Sequence, residues 1–196
     1  MEIASLPDPV PGKGEVLVRT AFSAISTGTE GKTVSDARKG YVAKAKARQE
    51  EVAKVVKAAK TYGVPETYKM VMNKLESLQP LGYSSSGEVV AVGEGVSEFE
   101  PGDRVACGGA SASHAELVVV PKNLCVKLGK DTPLDQAAYT TIGAIAMQGI
   151  RRAELSIGEN CVVIGLGLIG QLTLRVLKAA GVKTFGVDLK PELIEL

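Results

Sequence analysis

An apolar run that breaks into three spaced glycines constrains this chain more than any other feature. Cys161-Val162-Val163-Ile164 reads as a β-strand, and Gly165-Leu166-Gly167-Leu168-Ile169-Gly170 follows it directly. The segment from Gln171 to Ala180 is compatible with a helix, and Gly181 ends it. A second β-type run, Thr184-Phe185-Gly186-Val187, closes on Asp188. Strand, glycine turn, helix, strand and acid, in that order, form the pattern of a dinucleotide-binding βαβ unit. Gly165 is expected to permit the tight turn, Gly167 to let a pyrophosphate approach the backbone, and Gly170 to let helix and strand pack closely. The helix N-terminus would offer N–H groups and partial positive charge to the phosphates. Asp188 would accept hydrogen bonds from ribose hydroxyls, and its charge would repel a 2′-phosphate. Gly165, Leu166, Gly167, Leu168, Ile169, Gly170 and Asp188 are therefore expected to bind a cofactor, NAD rather than NADP. The alternative is a βαβ turn of the same shape that binds no nucleotide.

The chain ends at Leu196, soon after Asp188. A doubly wound dinucleotide domain has about five or six parallel strands, and the sequence here has room for two. The expectation is a truncated domain, with the half that would hold the nicotinamide on a longer chain or another one. On that expectation this stretch alone binds NAD poorly.

Composition bounds the remaining options. Hydrophobic residues make up 45%, charged residues 23%, and the net charge is +1, which describes a soluble globular protein with a core of its own. That balance gives no case for nucleic acid as a partner, and the lack of Trp argues against base-stacking surfaces. No uninterrupted apolar stretch approaches the roughly 18 residues of a membrane span, so no membrane partner is expected. The N-terminus, Met1-Glu2-Ile3-Ala4-Ser5-Leu6-Pro7, lacks a basic-then-apolar leader pattern. Cys107, Cys125 and Cys161 are isolated in sequence, odd in number and without CxxC spacing. They read as buried thiols of a reducing, cytoplasmic environment.

Upstream, short strands dominate. A Pro-rich opening (Pro7, Pro9, Pro11) leads into a β-type run over 16–22. Residues 32–80 change character. Val52, Val55, Val56 and Ala59 recur at helical spacing until Gly63-Val64-Pro65 stops them. Tyr68, Val71, Met72, Leu75 and Leu78 mark a second amphipathic helix. β character returns from Leu81 to Phe99. Pro101-Gly102-Asp103 turns the chain into Arg104-Val105-Ala106-Cys107, and a further strand runs from Ala115 to Val120. Residues 135–152 read as one helix leading to the glycine motif.

These residues resemble a known family. Gly14-Glu15-Val16-Leu17-Val18-Arg19, Gly87-Glu88-Val89-Val90-Ala91-Val92-Gly93, Pro101-Gly102-Asp103-Arg104-Val105 and His114-Ala115-Glu116 through Pro121 are similar to the medium-chain dehydrogenase/reductase superfamily. The resemblance implies an α/β plus β fold. A GroES-like β domain with a helical insert (1–134, insert 32–80) precedes a truncated Rossmann βαβ unit (135–196). Ile25-Ser26-Thr27-Gly28-Thr29-Glu30, Pro80-Leu81-Gly82-Tyr83, Pro121-Lys122-Asn123-Leu124-Cys125 and Met147-Gln148-Gly149-Ile150-Arg151 resemble a zinc-lacking subgroup, the bi-domain or threonine dehydrogenase-like oxidoreductases. Where zinc-dependent members carry a Cys and a His-Glu pair, this chain has Thr27 and Tyr83-Ser84. Hydroxyls are not the thiolate and imidazole that zinc takes, so no metal is expected. Thr27, Tyr83 and Ser84 become candidate catalytic residues that hydrogen-bond a substrate oxygen, or groups that merely fill the vacated site. Glu30 either orients its loop or caps the helix after it. His114, the one imidazole, reads as structural rather than acid/base. The basic residues of the insert (Lys32, Arg38, Lys39, Lys44, Lys46, Arg48, Lys54, Lys57, Lys60) read as a solvated helix face rather than an attractor of acidic substrate.

The expected function is zinc-independent hydride transfer between NAD and a small alcohol or carbonyl substrate, with sugar-related compounds among the candidates. Two alternatives stay open: a non-catalytic nucleotide-binding or assembly module, and one half of a split enzyme. For the last, a complementing domain or chain would cover exposed apolar surface on the two-stranded unit.

Overall fold

The computed structural model describes residues 3–38, 49–76 and 80–195. Two compact units arise: Met1–Ala4 with Ser26–Leu81, and Ser5–Ile25 with Gly82–Leu196.

The first unit is helical. Helix α1 (Thr29–Arg38) begins where Ser26 and Glu30 supply a reciprocal cap. The Ser26 N–H donates to Glu30 Oε1 at 3.0 Å, and the Glu30 N–H donates to the Ser26 carbonyl at 2.9 Å. Glu30 thus serves both the loop and the helix start. Helices α2 (Gln49–Tyr62) and α3 (Val64–Glu76) pack on each other. Gly63, at φ +86°, stops the first, as its sequence position predicts. Pro65 does not leave a gap, however: its ring suits the first turn of a new helix, so α3 starts at Val64. Thr67 anchors that start by donating to the Gly63 carbonyl at 2.8 Å. Lys32, Lys57 and Lys60 are exposed, consistent with a solvated face. Lys39, Lys44, Lys46, Arg48 and Leu78 lie outside the described residues.

The second unit carries the β domain. Strands β1 (Glu15–Ser23), β2 (Ser84–Val92), β3 (Arg104–Gly108), β4 (Leu117–Pro121) and β5 (Cys125–Lys127) form one antiparallel sheet in the order β4-β1-β2-β3-β5. Alternation along β1 and β4 points Val16, Val18, Val118 and Val120 inward. They join Val89, Val105, Cys107 and Ala112 in the core. Each such valine contributes about 1.5–3 kcal/mol by leaving water. Pro121, which cannot donate to a ladder, ends an edge strand. β1 and β2 approach so closely that a Cβ on Gly87 would lie 2.0 Å from the Arg19 carbonyl oxygen. Only glycine fits there.

The first half of β2 (84–87) is buried on both faces. Ser84, Ser85 and Ser86 are each at most 1% exposed, a polar run inside a core. On one face, Ser84 Oγ donates to the Ala138 carbonyl and Ser86 Oγ to the Leu134 carbonyl, each at 2.5 Å. Those carbonyls belong to the helical segment after the sheet. Expected as one helix over 135–152, it is two: α4 (Leu134–Ala137) and α5 (Thr140–Arg152). At the break, hydroxyls take carbonyls that a continuous helix would use internally. Thr140 Oγ1 bonds the Ala137 carbonyl at 2.7 Å while Ser84 holds that of Ala138. Strand β5 was not predicted; three residues are too few for a periodic signal. The cysteines are not isolated in space. Cys107 and Cys125 are partners across the β3–β5 pair, with Cys107 buried and Cys125 and Cys161 half-buried.

Carboxylates brace the turns between β2 and β3. Glu98 Oε1 meets Lys122 Nζ at 2.7 Å, which with the Ser97 N–H holds its carboxyl down to about 2. Asp103 is lowered by Lys127 Nζ at 2.6 Å and by the Glu100 N–H.

Depressed folded-state values mean that this stabilisation is complete above the ordinary carboxylate range and fades as pH falls through it. Urea midpoints measured from about pH 6 down to about pH 2 should decline, and Lys122→Met should flatten the decline while lowering the midpoint at neutral pH. Ser84→Ala, which strands the Ala138 carbonyl, should cost about 1–2 kcal/mol in urea denaturation at neutral pH.

Candidate nucleotide-binding and catalytic site

The glycine motif folds as a strand–turn–helix. β6 (Asn160–Ile164) and β7 (Lys183–Val187) are parallel neighbours, in register from Asn160↔Lys183 to Ile164↔Val187. Between them runs α6 (Leu168–Ala179). A short helix, α7 (Pro191–Ile194), follows β7. Gly165 adopts φ +92° and its N–H donates to the Val187 carbonyl at 2.8 Å, so the turn starts from the strand pair itself. Gly167 is the N-cap of α6, with no side-chain cap, and a Cβ there would meet nothing within 4 Å. The first helical N–H groups have no side-chain cap and carry a partial positive charge.

Helix α6 was expected from Gln171 and begins earlier, at Leu168. Gly170 therefore lies inside its first turn. A Cβ on Gly170 would sit 1.9 Å from the Gly165 carbonyl oxygen and 3.7 Å from Val163 Cγ1. The helix start thus lies directly against the turn, which requires glycine at this position. Leu166, 3% exposed, drives into the space between sheet and helix; a Cβ on Gly186 would lie 2.9 Å from its Cδ2.

Asp188 braces the turn. Its Oδ2 accepts the Leu166 N–H at 2.7 Å and its Oδ1 the Lys190 N–H at 2.9 Å. These backbone donors, Leu166 first, lower its pKa and keep it anionic. Each oxygen retains a second lone-pair direction for an outside donor. The bond from Leu166 was not legible in sequence, because it depends on the turn's shape.

The hydroxyl candidates occupy different settings. Thr27 lies in the helical unit, exposed, with its carbonyl accepting the Gly31 N–H. In the other unit, Tyr83 packs half-buried on the cluster of Ala24, Ala138 and Ile142, together with Leu168 and Leu172 of α6. That cluster ties the β domain to the start of the parallel unit. Ser84 is buried and gives its proton to Ala138. Its hydroxyl is therefore engaged within the protein. His114 Nδ1 lies 2.8 Å from Ser23 Oγ. The imidazole also stands where a Cβ on Gly82 (φ +95°) would be 2.8 Å from its Nδ1.

The apolar face of the two-stranded sheet that turns away from α6 is open. Val162, Ile164, Phe185 and Val187 are 48–85% exposed.

A GroES-like β domain that leads into a Rossmann-type βαβ unit defines the medium-chain dehydrogenase/reductase class of oxidoreductases. The chain belongs to the alcohol dehydrogenase GroES-like domain family, which matches residues 12–130. It is 33% identical over 137 residues to (R,R)-butanediol dehydrogenase of Bacillus subtilis, covering 57% of this chain and 40% of that protein. The galactitol-1-phosphate dehydrogenase structure from Escherichia coli superposes with a TM-score of 0.68 at 21% identity, over 98% of this chain and 54% of that one. An Escherichia coli quinone oxidoreductase complexed with NADPH gives 0.66 at 19% identity, over 98% and 49%. The chain thus spans about half or less of these relatives. Among the described residues, no helix is long and apolar enough to cross a membrane.

Replacing Asp188 by Ala should leave the Leu166 N–H without its carboxylate acceptor. Amide hydrogen exchange at Leu166 and Lys190 should quicken by about tenfold or more, while β1 amides keep their protection. Unchanged exchange at both would show that the turn stands without Asp188.

Proposed function

We propose that this chain forms the substrate-side domain and the adenosine-binding edge of an NAD-preferring, zinc-independent alcohol or carbonyl oxidoreductase. The observation that carries the reading is the Asp188-braced glycine turn at the N-terminus of α6, between two parallel strands. The residues fit a dinucleotide. Gly167 leaves room for a pyrophosphate, the start of α6 has no side-chain cap on its N–H groups, and Gly170 lets the helix begin against the turn. Asp188 is anionic, offers acceptors to a ribose diol and opposes a 2′-phosphate at the same place. A nicotinamide cofactor, when bound, would supply the hydride chemistry.

Zinc does not suit the donors present. Thr27, Tyr83 and Ser84 bring hydroxyls to the positions where the resemblance places thiolate, imidazole and carboxylate, and the chain has a single His. Tyr83 is the group proposed to hydrogen-bond the substrate oxygen. Ser84, already donating to Ala138, can only accept. Its role is then to hold the Tyr83 backbone in place. The sugar-alcohol name of one structural relative supports a small polyol or its ketone as the substrate class. The resemblance to bi-domain oxidoreductases, and the open face at Ile164 and Phe185, support a further domain or chain as partner. Ser84's engaged hydroxyl also keeps a second reading in play, a nucleotide-binding module without chemistry.

Fluorescence titration with NADH and with NADPH tests the cofactor reading. NADH should bind at least about tenfold more tightly, and Asp188→Asn should narrow the gap. Equal affinities, or tighter NADPH, would sink the preference. Hydride transfer from NADH to small ketones by the chain joined to its nicotinamide-holding half, lost in Tyr83→Phe with NADH binding retained, would separate the enzyme from the module.

A further inference from the structure

Two of the three thiols stand together at the edge of the β domain, apart from the glycine turn. Cys107 of β3 and Cys125 of β5 are cross-strand partners. Their position in the ladder follows from a neighbouring bond. The Leu128 N–H donates to the Arg104 carbonyl at 2.8 Å, which makes 104/128 a hydrogen-bonded pair. Pairs alternate along an antiparallel ladder, so 106/126 is hydrogen-bonded and 107/125 is not. Cα atoms of a non-hydrogen-bonded pair lie about 4.5 Å apart, inside the roughly 4.4–6.8 Å that a disulfide bridges. The sulfurs are already in contact at 3.7 Å. Cys125 is half-buried and gives small reagents access to the pair, whose inner member, Cys107, is 1% exposed.

We propose that Cys107 and Cys125 form a redox modification site, a dithiol that low-molecular-weight disulfides convert reversibly to an intrachain disulfide. The roles of the two sulfurs differ. Cys125 is the more accessible, and the S–H of Cys107 donated to it favours its thiolate. The same bond, with burial, pushes the Cys107 thiol up and keeps it protonated. Cys125 is then the attacking thiolate. It bonds to one sulfur of the small disulfide, whose S–S bond breaks and releases one thiolate. Cys107 next attacks the Cys125 sulfur, loses its proton to solvent and expels the second small thiol. Two protein thiols are oxidised, and one small disulfide is reduced to two thiols. Cys161, on β6, has no sulfur partner among the described residues and serves as an internal control.

The test uses the full chain under native conditions with 2-hydroxyethyl disulfide as the oxidant. Intact mass should fall by two hydrogens and return with dithiothreitol. Peptide mapping without reductant should join Cys107 to Cys125. Cys161→Ser should behave as wild type, whereas Cys107→Ser should stall as a mercaptoethanol adduct on Cys125. A wild-type adduct that never resolves, a linkage through Cys161, or a Cys107–Cys125 bond that forms only in urea would each overturn the proposal.

Discussion

The double burial of the first half of β2 is the constraint on which the β domain depends. A strand covered on both faces has no water to satisfy its side chains, yet this one opens with three serines. Their alternation separates the demands. Ser84 and Ser86 point at the α4–α5 segment and find its carbonyls, while Val89 and Val105 build the opposite, apolar face. An unpaired hydroxyl in such a place costs about 1–3 kcal/mol. Each satisfied one links the sheet to the helices that lead to the parallel unit. Ser85, between Ser84 and Ser86, points to the other face and its hydroxyl has no partner among the described residues. Gly87 completes the arrangement by letting the Arg19 carbonyl come within a distance that forbids a Cβ.

The parallel unit uses a similar device on a smaller scale. Its turn is braced from three sides: the Val187 carbonyl on the Gly165 N–H, the Asp188 carboxylate on the Leu166 N–H, and the Gly165 carbonyl against Gly170. The acid assigned to a ligand in sequence thus has a structural role in the turn. That role comes from a carboxylate held ionised by backbone N–H groups at the end of a strand. A preformed, charged turn loses little freedom when a ligand arrives.

Much of the fold was legible in the residues. The glycine motif predicted β6, the turn and β7 because its spacing carries steric requirements that few other arrangements meet. Gly63 and Pro101-Gly102-Asp103 punctuated the chain where it turns. The misses have physical causes. The break between α4 and α5 comes from hydroxyls donated by a residue more than fifty positions away and by Thr140. Helix α6 starts before Gln171 because two glycines of the motif, Gly167 and Gly170, cap and enter it rather than precede it. The partnership of Cys107 and Cys125 needed a strand of three residues, β5, that has no periodic signature of its own.

By itself, then, the sequence determined what local chemistry can determine: which residues must be glycine, where strands alternate, and which family the pattern resembles. Tertiary structure decided how polar groups are shared. It engaged Ser84 with Ala138, gave Asp188 two backbone donors, and brought two sulfurs within 3.7 Å. Those outcomes depend on distances between elements far apart in the chain. Such distances are set by packing, which no local pattern of residues encodes.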